Sequence, residues 1–347
     1  MESKRWLALD LFKTIAIFVM IAWHLSIWWV NLHPSIEKGL LMVGVTPWPY
    51  LLQVIVAFSG HFVMSIPLIA GAALRFYIDK FDSSRGNELM VAILKRAAAL
   101  ACLGFVMNFL AFGVEYWHLW NALQLISLSI VIIIIFMVYS SPYLLAISGF
   151  LAILSSPFIR NLLHNTNNYF SFMLIGDRFG DNIWSFFPWY GVVVYGFLFV
   201  HLYLHFKDEH KKRRLKIFLL GAGFFVIAAA LAKSKFFYAV DFQYPWGPLL
   251  FQPHTLTVLA QLSVFTALII MMDFFFSGVK ISKFGIINAF SKGILWIYVV
   301  HMIVGFRLIE FLFENGFRNN GMLFPVMLVV FALSYCVGAF FVLKKAK

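Results

Sequence analysis

Three ionisable residues share one stripe of the first apolar stretch: Asp10, Lys13 and His24. At 100° per residue they fall within a sector of about 60°, and at 1.5 Å of rise per residue His24 lies roughly 20 Å beyond Asp10. An ionisable side chain inside a membrane helix costs roughly 2.5 to 3.5 kcal/mol even on lenient insertion scales, so such residues face a bundle interior and often mark a site or pathway. A neutral imidazole, with an ordinary pKa near ~6.5, is suited to taking a proton from a hydroxyl or ammonium group at physiological pH. His24 is therefore the candidate general base. The plainer reading, in which Asp10 neutralises Lys13 and His24 caps a backbone carbonyl, accounts for each residue singly but not for the shared stripe.

Further residues could join such chemistry. His61, in Ser59-Gly60-His61, and His301, in Tyr298-Val299-Val300-His301, are also intramembrane imidazoles. Each alone reads as a satisfied interior histidine. In second rank, His301 is a catalytic candidate and His61 a substrate-binding one. No two of these three histidines sit at the i, i+4 spacing that shapes a metal site, so no metal is expected. Lys95 and Arg96 offer a point charge beside a planar fork, a pairing suited to phosphate, with Arg75 and Lys80 nearby; snorkelling to lipid headgroups is the alternative reading. Asn121 and Gln124, at i, i+3, share a helix face and are candidate oxyanion donors. Asp241 and, in an earlier loop, Asp177, Arg178, Asp181 and Asn182 are candidates for holding hydroxyl groups.

The elements that must position these residues follow from composition. The chain has 347 residues, 62% hydrophobic and only 12% charged, about half the charge of a soluble domain. It reads as all-α, a single polytopic transmembrane bundle over 1–347. Ten segments are long enough to cross ~30 Å of hydrocarbon: 7–31, 50–75, 89–113, 121–139, 142–158, 187–206, 217–234, 255–276, 286–312 and 322–343. The first lacks a small-x-small cleavage site and reads as a retained anchor.

A net charge of +12 is common in nucleic-acid-binding chains, but here the basic residues form short runs between apolar stretches instead of one amphipathic face. Topology explains them. With the N-terminus inside, 17 of the 27 Lys and Arg fall on the cytoplasmic side, including the run Lys207 to Lys216, and both termini face the cytoplasm. Lys13, Lys95 and Arg96 lie within helices. The outer loops near 32–48, 159–186 and 235–254 are the longest, where a polar acceptor would arrive. The two cysteines, Cys102 and Cys336, sit in apolar segments and supply neither a disulfide scaffold nor a thiolate cluster. No internal repeat of 20 to 50 residues is evident, which weakens a transporter built on symmetry.

Four stretches resemble a known group of enzymes. The run Arg5 to Lys13, continuing to Met20-Ile21-Ala22-Trp23-His24, resembles the opening of membrane acyltransferases related to heparan-alpha-glucosaminide N-acetyltransferase and to the acyltransferase-three family. Lys13 and His24 keep that group's interval between a basic residue and the helix-one histidine, although Lys lacks the planar fork of Arg. Asn121 to Ser129, Phe187-Pro188-Trp189-Tyr190-Gly191 through Gly196, and Leu295-Trp296-Ile297-Tyr298-Val299-Val300-His301 are similar to its later segments. The Arg-x-x-x-Arg element of the acyltransferase-three branch is absent, which favours the glucosaminide-acetyltransferase branch.

The resemblance implies transfer of an acyl group, usually acetyl, from cytoplasmic acyl-coenzyme A to a carbohydrate-type acceptor across the membrane. Lys95 and Arg96, with Lys13, would hold the donor's phosphates. The expected partners are the lipid bilayer, acyl-coenzyme A and a glycan or sugar; a homodimer stays open, and a compact chain of this kind suits a bacterial inner membrane. Two rivals remain: a proton-coupled transporter using the same buried charges, and a non-enzymatic scaffold.

Overall fold

The computed structural model describes residues 6–31, 62, 64–79, 86–163, 166, 169–175, 184–206, 208–232, 255–276, 285–317 and 320–344. Every regular element among them is helical. The helices are α1 (Leu7–Asn31), α2 (Ser65–Ile78), α3 (Gly86–Phe112), α4 (Ala122–Tyr139), α5 (Pro142–Leu163), α6 (Tyr169–Ile175), α7 (Phe186–His205), α8 (Glu209–Ala232), α9 (Thr255–Phe276), α10 (Ile286–Glu314) and α11 (Leu323–Lys344), with a short 3-10 turn at Asn320–Met322. Eight of them are long and apolar enough to cross a membrane, and the protein is an integral membrane protein.

Ten spans were expected, and the difference lies in two segments. α2 is a 14-residue apolar helix, and residues 50–61 of the expected second span lie outside the described residues. The expected span 217–234 falls in α8, which begins eight residues earlier on the basic turn Glu209 to Lys216 and is not among the eight. The same physics lengthens α5, which runs on to Leu163 with Pro157 inside it. Part of the expected outer loop 159–186 is therefore helical, including α6.

Local signals set the ends of these helices. Pro142 occupies the first position of α5, where its missing N–H is no loss, and the Ser141 hydroxyl accepts from the Leu144 amide at 3.3 Å. Packing between helices relies on small residues that let backbones touch, as expected where lipid supplies no hydrophobic drive. Gly71 of α2 meets the Val193 carbonyl of α7, and Gly196 of α7 meets the Leu68 carbonyl of α2; a methyl group at either would collide with backbone. A methyl on Gly293 of α10 would lie 2.6 Å from the Gly338 Cα of α11.

α1 packs against α10 and α9 and is almost wholly enclosed. The starts of α1 and α10 lie side by side, joined by Asp10 and Ser291, and the last turns of α11 reach the start of α10 at Ala289 and Gly293. The start of α1 and the last turns of α11 therefore share one end of the bundle. The basic turn of α8 is there too, through Lys216 and Asp273 of α9, and we call it the basic end.

Candidate functional site

Two histidines separated by 277 positions in sequence meet at the core. His301 Nε2 lies 3.3 Å from His24 Nδ1. His301 is 0% and His24 7% exposed. The backbone around them fixes which nitrogens carry hydrogen when both rings are neutral. His301 Nδ1 lies 3.0 Å from the Ile297 carbonyl, so Nδ1–H donates there and Nε2 is left as an acceptor. His24 Nδ1 lies 3.1 Å from the Met20 carbonyl as well as against His301 Nε2. Both neighbours are acceptors, so the hydrogen sits on His24 Nδ1. His24 Nε2 is then a lone-pair nitrogen, and it makes no hydrogen bond among the described residues.

Aromatic rings hold the pair. Trp28 stacks on His24 with ring centroids 5.2 Å apart, and Trp23 packs edge-on to it at 4.9 Å. Tyr298, three residues before His301 and so on the same face of α10, meets the His301 ring edge-on at 5.4 Å.

Directly below lies a cavity of about 490 Å³ between α1, α2, α3, α4 and α10. Its wall at the histidine end includes Met20, one turn before His24, and Tyr298. Its wall towards the basic end includes Arg96 and Tyr77, whose ring lies 3.8 Å from the guanidinium carbon. Ile66 and Tyr77, both on α2, mark its two ends, a span of roughly 16 Å at helical rise. Almost all of the wall between is aliphatic.

The remaining candidates fall in different places. Lys95 is exposed on α3, turned away from the cavity that Arg96 lines. Arg75 faces α7: its Nε donates to His201 Nδ1 at 3.1 Å, and its fork lies 3.7 Å from Asp79. Lys13 lies 3.7 Å from Asp10, and the Asp10 carboxylate accepts from Ser291.

Asn121 and Gln124 form the capping box of α4: Asn121 Oδ1 accepts from the Leu123 amide at 2.8 Å, and Gln124 Oε1 accepts from the Asn121 amide at 3.0 Å. Asn121 Nδ2 donates to Asn108 Oδ1 at 2.7 Å, tying α4 to α3. His61 and Asp241 lie outside the described residues. Among the described residues no group of three or more His, Cys, Asp or Glu could hold a metal ion.

Sequence reasoning missed Asn108, Ser291, Asp273 and His201. Each acquires its role from a neighbour on another helix, and no local pattern announces it. Tyr298 had a signal, its i, i+3 spacing to His301, which places both on one face.

No curated protein and no solved structure matches the chain. Residues 5–228, α1 through most of α8 and including His24, match the family described as heparan-alpha-glucosaminide N-acetyltransferase, catalytic. His301 lies beyond the matched segment, so its place beside His24 rests on the geometry. With well over half of its length matched, the chain belongs to the heparan-alpha-glucosaminide N-acetyltransferase catalytic family of membrane acetyltransferases.

Proposed function

We propose that the protein moves an acyl group, acetyl in the first instance, from acyl-coenzyme A at the basic end to a hydroxyl or amino group of a carbohydrate-type acceptor arriving from the opposite end. The basic end is read as cytoplasmic because lysine and arginine accumulate on that side of membrane proteins. A bacterial cytoplasmic membrane and the glucosaminide-acetyltransferase branch, in preference to the acyltransferase-three branch, belong to the same reading.

One observation carries it. A neutral imidazole whose Nε2 is unengaged among the described residues, His24, lies one helical turn beyond Met20, and Met20 lines a cavity that reaches down to a cation, Arg96. An acceptor oxygen or nitrogen must lose a proton as it attacks a thioester, and a positioned lone-pair nitrogen takes it. His301 holds the tautomer and orientation, as the third member of a catalytic relay does. Arg96 contributes a planar fork for the donor's phosphates, with Lys13 on the same stripe of α1 as Met20. The pantetheine arm would span the distance between.

The transporter reading draws less support. Asp10, Lys13 and Ser291 are closed on one another, and the wall of the cavity above is apolar, a poor path for ions. The test is purified protein in proteoliposomes given radiolabelled acetyl-coenzyme A and glycan acceptors. Labelled glycan that is lost in His24→Ala is expected. Solute flux without any dependence on acetyl-coenzyme A, or wild-type transfer by the variant, would overturn the proposal.

A further inference from the structure

Acyl transfer needs a hydrogen-bond donor where the carbonyl oxygen gathers charge, and such a donor is worth about 10²- to 10³-fold in kcat. Asn121 is occupied in this fold. Its carbonyl oxygen accepts from the Leu123 amide, and its amide nitrogen donates to Asn108 and, at 3.3 Å, to the Gly104 carbonyl. Gln124 Nε2 has no hydrogen-bond partner among the described residues, but its side chain packs against Gly104 of α3 and does not line the cavity, whereas Ala122, Leu123 and Ile126 of that turn do.

The cavity wall itself offers few donors. Tyr77 and Arg96 face each other at the basic end, and Trp296 is 40% exposed and stacked on Phe341 at 4.9 Å. Tyr298 remains. It is 5% exposed, lines the cavity at the histidine end and touches the His301 ring edge-on. Its hydroxyl makes no hydrogen bond among the described residues. Its oxygen is not among the sealed, unpartnered polar atoms of the described residues, so the hydroxyl stays open to a ligand in the cavity that its ring lines. Helical side chains lean towards the N-terminus of their helix, so the phenol reaches from beside His301 down into the space where a thioester rising from Arg96 would arrive.

We propose that the Tyr298 hydroxyl is the oxyanion donor of the transfer, a role that rests on the acyltransferase reading above. The acceptor atom bonds to the thioester carbon as its proton passes to His24 Nε2. The carbonyl electrons move onto oxygen, which accepts the Tyr298 O–H hydrogen bond without taking the proton. Collapse re-forms C=O and breaks the C–S bond, and the thiolate leaves with the proton from His24.

The experiment measures release of free thiol from acetyl-coenzyme A by the full-length protein in proteoliposomes, with glucosamine as acceptor. Tyr298→Phe is expected to lower kcat about 100- to 1,000-fold, with little change in KM for the donor and no movement of the acidic limb of the pH profile. A structural loss would instead move KM, the limb or thermal stability. Should that variant fold poorly, 3-fluorotyrosine at position 298 keeps the shape and makes the hydroxyl a stronger donor; a higher kcat at mildly acidic pH is expected. Wild-type kcat in the phenylalanine variant while His24→Ala is inactive, or unchanged kcat with fluorotyrosine, would overturn the oxyanion role and leave the acyltransferase standing. Wild-type protein that releases no thiol overturns the acyltransferase reading, and this proposal with it.

Discussion

The two halves of α1 treat their polar groups in opposite ways. At the basic end, each side chain is answered by another. Trp6 Nε1 donates to Asp273 at 2.7 Å, Lys216 pairs with the same carboxylate, Asp10 takes Ser291 and Lys13, and the Thr14 hydroxyl returns to the Asp10 carbonyl at 2.8 Å. Tyr203 stacks on Trp6 with centroids 3.8 Å apart, joining α7 to the cluster. Fourteen residues further on, the His24–His301 pair leaves His24 Nε2 without a partner among the described residues, and the hydroxyl of Tyr298, whose ring meets His301, has none among them either. A polar group in lipid is tolerated when satisfied and costly when not. The basic end therefore reads as a staple, and the histidine region as a site.

That contrast can be broken by substitution. His24→Ala should lower kcat most, by about 10²- to 10⁴-fold, the usual contribution of a positioned acid or base, with thermal unfolding close to wild type. Because the base must be deprotonated, wild-type kcat/KM should rise with pH through one ionisation and be lost as the pH falls. His301→Ala should cost less, roughly 10- to 100-fold, as losing an orienting partner of a functional histidine does. His24 keeps the Met20 carbonyl in that variant, and the change should appear in kcat and in the position of the acidic limb.

Arg96→Ala should act on the donor instead, raising KM for acetyl-coenzyme A about tenfold or more through loss of a charge-assisted contact, with kcat retained. Asp273→Ala sharpens the comparison from the other side. It leaves Trp6 and Lys216 without their carboxylate and should destabilise the protein by roughly 1–3 kcal/mol, read as a lower Tm, while kcat per folded molecule stays the same. A fall in kcat without a fall in Tm would make the basic end part of the chemistry.

Much of this was legible in the sequence, for physical reasons that also mark its boundary. The apolar runs had to become helices because the bilayer tolerates no unpaired backbone, and the 100° step placed Asp10, Lys13 and His24 on one face before any coordinates. Asn121 and Gln124 read as sharing a helix face, but an Asn-x-x-Gln step ahead of an apolar run is also a capping-box spacing, and it is in a capping box that Asn121 Oδ1 and Gln124 Oε1 engage, with Asn121 at the N-cap of α4. The encounter of His24 with His301 was not legible. It depends on how α1 and α10 cross, and nothing local to either helix encodes a partner 277 residues away. The cavity was invisible for the same reason, since its wall is assembled from five helices whose individual residues look like ordinary core.

The most direct measurement uses vesicles of defined orientation carrying wild-type protein or His24→Gln, with labelled acetyl-coenzyme A supplied to one face at a time and glucosamine to the other. Acetylated sugar is expected only when the donor meets the face that bears the α8 basic turn, and not with His24→Gln. Equal labelling from either face, or undiminished labelling by the variant, would contradict a transfer across the membrane at His24.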